Sequence, residues 1–150
     1  MKTEWTVLSL TQPWATLVML GKKQQETRSW KTDYRGRLYI HASKGFPKSA
    51  QELCFTWPFN EYINPNTKSL PLGMILGSVE LWKIESSEAA LSAIQESETE
   101  GMQEEYRFGD YSQNRFVWYF RNVEVLDKPV PARGSLSLWK YTPGAKSHEL

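Results

Sequence analysis

Gly21-Lys22-Lys23-Gln24-Gln25-Glu26-Thr27-Arg28, continued by Tyr34-Arg35-Gly36-Arg37 and Leu38-Tyr39-Ile40-His41-Ala42-Ser43, is the stretch on which the rest of the chain depends. From Gly21 to Lys48 there are eight basic residues and two acids, a net +6 in a chain whose total is +1. Trp30, Tyr34 and Tyr39 are interleaved with those charges. Cations neutralise phosphates and aromatic rings stack on bases, so the combination suits a nucleic-acid groove. A solvated basic hairpin without a ligand has the same composition, and composition alone leaves both readings standing.

The bulk numbers narrow the frame. A chain of 150 residues fits one domain, spanning 1–150 with its core at about 5–141. Seven Trp, seven Tyr and six Phe favour strands over helices. The near-zero net charge argues against non-specific coating of duplex DNA but not against a local basic groove. From Glu85 to Glu105 there are seven Glu and no Lys or Arg, which would orient an anionic ligand toward the 21–48 side. Cys54 is the only cysteine, which excludes an internal disulfide and suits a reducing compartment. Cys54, His41 and His148 are too few for a zinc site, so neither a metal nor a cofactor is expected. No apolar run approaches the ~20 residues of a membrane span, and the start lacks the apolar segment of a signal peptide. A cytoplasmic protein without membrane contact is the expectation.

Along the chain, Trp5 to Leu10 reads as a first strand. Pro13 opens a helix capped by Thr11 or Gln12, and Gly21 is placed to end it in a left-handed conformation. Gln25 to Trp30 is expected to be extended, and a turn over 32–36 leads into a strand from Arg37 to Ala42. A loop and short helix cover 44–54. The segment 56–72 reads as irregular, with Trp57, Phe59 and Tyr62 pinned to the core. A long strand runs from Gly73 to Ile84, and Ser86-Ser87-Glu88 caps a helix to about Ser97 with Ala90, Leu91 and Ile94 inward. A loop is expected over 98–110, a strand over 115–126, a proline turn over 127–134, a closing strand over 135–141 and a frayed tail from Thr142. Strands outnumber helices without βαβ alternation. The class is therefore α+β, a small barrel of about five to seven strands with short flanking helices.

Four groups of residues are candidates for chemistry. In an extended segment Glu26 and Arg28 share a face, with Lys23 across a bend; the carboxylate orients the two cations to hold a base or phosphate, or the three form a structural ion cluster. Glu80 is an isolated acid in an apolar strand. Either it pairs with Lys23, in which case the two could transfer protons, or it lies on the wet face. His41 and Ser43 share a strand face with Tyr39, with no activated-serine elbow nearby, and a lone strand histidine is more often a hydrogen-bonding wall residue than a catalyst. Gln12 and Trp14 flank a helix start, where backbone N–H groups favour anions; capping and packing are the alternative. Trp118 and Tyr119 are read as core before stacking surface.

Ser9-Leu10-Thr11-Gln12-Pro13-Trp14-Ala15, Gly21-x-Lys23-x-x-Glu26-x-Arg28, Tyr34-Arg35-Gly36 and Ile40-His41-Ala42-Ser43 together resemble the ASCH domain family, whose G-x-K-x-x-E-x-R signature is complete here. Gly77-x-Val79-Glu80-Leu81 and Arg133-Gly134-x-Leu136-x-Leu138-Trp139 resemble its later strands. The resemblance implies a PUA-like β-barrel with a cleft lined by the signature, and binding of RNA, single-stranded nucleic acid or a nucleotide-like ligand. Some small members hydrolyse N4-acylated cytidines with a Lys, a Thr and a Glu, and a ribonuclease activity has been ascribed to another. Lys23 matches that lysine and Glu80 that glutamate, but Glu26 stands at the threonine position. A carboxylate there keeps Lys23 protonated rather than nucleophilic, which argues against the amidohydrolase. Thr27 would point to the opposite face.

The favoured expectation is a binding module. Lys23, Arg28, Arg35 and Lys44 would hold phosphates, Glu26 and Gln12 a base edge, and Trp14, Trp30 or Tyr39 would stack, with His41 and Ser43 in the wall. The alternative is a hydrolase of a modified nucleoside or RNA that uses Lys23 and Glu80. A protein partner on the acidic 85–105 segment is a third possibility.

Overall fold

A computed structural model describes residues 3–64, 69–96 and 100–144. The first strand, β1 (Trp5–Leu10), is buried on both faces because it lies inside the sheet, parallel to β3 (Gly36–Ala42) and antiparallel to β6 (Leu138–Tyr141). Gln12 then sets the start of α1 (Trp14–Met19): its Oε1 accepts the Thr16 N–H at 3.0 Å, and its Nε2 donates to Pro71 O at 2.9 Å. Gly21 ends the helix at φ +74°, a region that favours glycine, and the Lys22 and Lys23 N–H groups both donate to Leu17 O. The chain is thereby delivered to β2 (Gln25–Arg28).

Among the described residues, six strands form one mixed sheet in the order β2-β5-β4-β3-β1-β6. Its spine is the long antiparallel pair β4 (Met74–Ser86) and β5 (Phe116–Pro131), whose register shifts at three places. Each shift increases local twist, and the sheet curls into a half-barrel with β2 and β6 at its edges. Among the described residues five short helices accompany it, so the chain forms the expected α+β class, a barrel-like sheet within the expected five to seven strands with short flanking helices.

Helix α1 fills the hollow and is buried on two sides. Ala15, Val18 and Met19 join Leu8, Ile40 and Trp118 in the main core. Leu17 faces the other way and meets Cys54, Phe59, Ile63 and Phe108. Those residues come from α2 (Lys48–Leu53) and its end, α3 (Phe59–Tyr62) and its end, and α5 (Glu100–Phe108). The remaining helix, α4 (Ser87–Glu96), begins with Ser86 Oγ accepting the Ala89 N–H and buries Ala90 and Ile94 beside Val117.

Three expectations are corrected. The segment 98–110 contains α5 rather than only a loop: one of its inward positions is a buried carboxylate, Glu105, which hides the apolar period in the sequence. Strand β5 runs on to Pro131 instead of turning at 127. Beyond Tyr119 it has no β2 partner on one side, and prolines are tolerated at such an edge. Trp57 is not pinned to the core but 43 % exposed, whereas Phe59 is buried as expected. The expected tail from Thr142 lies mostly outside the described residues. Among the described residues no helix is long and apolar enough to cross a membrane.

Candidate functional site

Strand β2 is short, yet its four residues tie together the parts of the molecule that meet at the helical end. Gln25 and Thr27 point one way: the Tyr111 hydroxyl donates to Gln25 Oε1 at 2.9 Å, and Thr27 Oγ1 accepts the Asp110 N–H at 3.1 Å. Glu26 and Arg28 point the other way, as strand alternation requires. Glu26 stands between two cations, 3.5 Å from Lys23 Nζ and 3.2 Å from Arg28 Nη2. Arg28 also donates to Ser9 O at 2.8 Å, which fixes its guanidinium against β1.

Two cavities meet at this strand. The first, of about 470 Å³, is lined by Glu26 to Trp30 on one side and by Trp14, Phe59, Arg107, Phe108 and Arg115 on the other. Trp14 is held by a 2.6 Å hydrogen bond from Nε1 to Phe108 O, and Trp30 stands edge-on to Trp118 at 4.8 Å. Arg115 donates to Thr27 O and Asp110 O and lies 3.5 Å from the Asp110 carboxylate. The second cavity, of about 560 Å³, shares Thr11 and Arg28 with the first and adds His41, Ser43, Lys44 and the crossover Arg133–Ser137. No acid lines it, and Lys44 and Arg133 form no ion pair among the described residues.

His41 is a wall residue here. It is 1 % exposed, its Nε2 is 2.8 Å from Ala132 O, and its Nδ1 is 2.9 Å from Ser9 Oγ. A carbonyl only accepts, so the proton sits on Nε2 and Ser9 donates to Nδ1. Burial holds the imidazole below its ordinary pKa, so it stays neutral. Gly134 lies directly on this ring: a Cβ there would stand 2.7 Å from His41 Cε1, so only glycine lets the crossover close over the histidine.

The structure sorts the sequence candidates. Glu26, Arg28, Trp14, Trp30, His41, Ser43 and Lys44 line one cavity or both. Lys23 is 1 % exposed, donates to Gln25 O and lines neither cavity. Gln12 is fully buried with both ends of its amide engaged. Arg35 returns its guanidinium to Thr32 O and Tyr34 O in its own turn, and Tyr39 is stacked on Trp5 at 3.9 Å. The expected Lys23–Glu80 pair does not form. Glu80 instead accepts from Arg121 at 2.9 Å and Asn122 at 2.7 Å, bonds that lower its pKa, on the exposed outer side of the β4–β5 ribbon. Sequence reasoning missed Arg107, Arg115 and Arg133 as cleft cations. Arg133 stood in a quoted motif, whereas Arg107 was hidden in the segment read as a loop.

The ASCH domain model matches residues 8–130. Activating signal cointegrator 1 of Homo sapiens is 34 % identical over 141 residues, covering 89 % of this chain and 22 % of that protein. The Mus musculus protein of the same name is 33 % identical over the same shares. The chain thus spans about a fifth of the length of these curated relatives. Among solved structures, ASCH from Zymomonas mobilis is similar with a TM-score of 0.47 and 18 % identity, over 83 % of this chain and 71 % of that one.

Proposed function

The chain belongs to the ASCH domain family, and on that footing we propose that its cleft binds RNA or another single-stranded nucleic acid. The observation that carries the reading is Arg28, which lines both cavities and is fixed by Ser9 O and Glu26. A fixed guanidinium recognises a planar or tetrahedral anion at less entropic cost than a free one. On one side of it Trp14 and Trp30 offer rings, and on the other Lys44 and Arg133 offer charge without a competing acid. Phosphates then run along the cations, and bases turn toward the rings. Unpaired bases suit this arrangement because their faces and edges are open.

Fluorescence anisotropy of a labelled single-stranded RNA, titrated with protein over a range of salt, tests the reading. With roughly three phosphate contacts, log K should fall with log salt at a slope of about −2. Arg133→Ala and Lys44→Ala, both exposed and outside the core, should each flatten that slope by about 0.7. Arg28→Ala should weaken binding by more than tenfold, on the order of the 1.5–3 kcal/mol of a charged hydrogen bond. Salt-independent affinity, or three variants indistinguishable from the wild type, would contradict the proposal.

A further inference from the structure

A third cavity, of about 670 Å³, opens from the first and shares Leu53, Phe59, Arg107, Gly109 and Asp110 with it. Since the second cavity meets the first at Thr11 and Arg28, the three form one continuous groove. Arg28 stands at one junction and Arg107 at the other. At the far end the surface is aromatic: Trp57 is 43 % exposed and Tyr106 44 %. The Arg107 guanidinium lies 5.5 Å from the centre of the Trp57 ring, and Tyr106 stacks on Tyr111 at 5.7 Å with the planes 26° apart. Large rings left half in water forgo burial energy, so such a patch marks a contact surface better than a stabilising one.

We propose that this third cavity is a stacking subsite for a further nucleotide of the same strand, so that the ligand is an oligonucleotide rather than a single nucleoside. The proposal rests on the nucleic-acid reading of the first two cavities. Each cavity falls in the size range that encloses one small ligand, so the groove has room for about three nucleotides or more. Arg107 belongs to two cavities and can meet the phosphate between successive bases, while Trp57 and Tyr106 present the faces on which an unpaired base stacks. Asp110 is the one acid in this part of the groove, and it is already engaged: hydrogen bonds from the Ser112 hydroxyl and from the Ser112 N–H, the latter at 3.0 Å, lower its pKa, and it lies 3.5 Å from Arg115. It therefore repels a phosphate less than a free carboxylate would.

The test compares a dinucleotide with an octanucleotide of the same single-stranded RNA, by anisotropy, on the wild type and on Trp57→Ala, Trp57→Phe and Arg28→Ala. The octanucleotide should bind the wild type more tightly. Trp57→Ala should lose about tenfold on the octanucleotide and nothing on the dinucleotide. Trp57→Phe, which keeps a ring, should recover most of that loss, and Arg28→Ala should weaken both ligands. If Trp57→Ala matches the wild type at both lengths while Arg28→Ala weakens them, the third cavity is not part of the groove and only this proposal falls. If no oligonucleotide binds and the aromatic patch instead captures a protein, both readings fall.

Discussion

Glu105 is 5 % exposed, its Oε1 accepts the Gln24 N–H, and its Oε2 has no hydrogen-bond partner among the described residues. Burial, only partly offset by Lys23, pushes its pKa up from 4.5 to about 7. Lys23 cannot neutralise two carboxylates at once, and Glu26 already holds it at 3.5 Å. Because the folded state binds this proton more tightly than the unfolded one, Glu105 contributes stability that is full below 4.5 and is lost as the pH rises through about 7. The difference is on the order of 3 kcal/mol. Glu105→Gln keeps an acceptor for Gln24 and cannot ionise. Its urea midpoint should exceed that of the wild type at pH 8 and fall below or equal it at pH 5. A variant that tracks the wild type across this range would show that Glu105 is charged in the fold. His41 works in the opposite sense: burial lowers its pKa below 6.5, so its contribution is full above that value and is lost as the pH falls. Lys23 and Arg28 were legible in the sequence, but this proton was not, because the buried acid comes from a helix, 81 residues beyond Gln24, that the charge pattern concealed.

At the scale of elements, the register shifts of the β4–β5 ribbon curl the sheet, and Gly77 sits beside one of them. A Cβ there would lie 2.4 Å from Glu124 O and 2.7 Å from Met19 Sδ. The carbonyl belongs to the paired strand and cannot retreat without breaking the register next to a bulge. Gly77→Ala should therefore cost about 3 kcal/mol or more, measured as a shift in the urea midpoint with an unchanged slope. Less than about 1 kcal/mol would mean that the ribbon can slide. Strands β1, β3 and β4 were legible because each is an apolar or alternating run bounded by Gly, Pro or a turn, whereas β2, Gln25-Glu26-Thr27-Arg28, has no apolar residue and is legible only as extended chain. The far half of β5 was not, since Pro129 and Pro131 read as a turn until the missing edge partner is known. Element α5 shows the other limit of periodicity. Phe108 and the buried Glu105 fall at helical spacing, but a carboxylate does not register as an inward residue.

Charge is unevenly arranged over the whole molecule, though not as the sequence alone suggests. Four acids of the run from Glu85 to Glu105 are tied down by hydrogen bonds rather than left as a repelling face. Glu85 accepts from the Tyr119 hydroxyl and ties β4 to β5, while Glu88 accepts from Asn114 N–H, Glu104 from the Tyr62 hydroxyl and Glu105 from Gln24 N–H, so these three acids fasten α4 and α5 to their neighbours. The basic side is assembled from distant parts of the chain: Arg28 from β2, Lys44 after β3, Arg107 from α5, Arg115 before β5 and Arg133 after it. Only the first two lie in the stretch that looks basic on paper, while Arg35 and Arg37 from that stretch face elsewhere. The cleft is thus a property of the folded topology, and linear charge counting finds two of these five cations. The most direct measurement is a titration of isotope-labelled protein with a single-stranded octanucleotide, followed by backbone amide chemical shifts. The expected result is that shifts concentrate at Thr27 to Trp30, Arg107 to Asp110 and Arg133 to Ser137. Shifts confined to Glu80 to Lys83 and Arg121 on the outer ribbon, or none at saturating ligand, would contradict it.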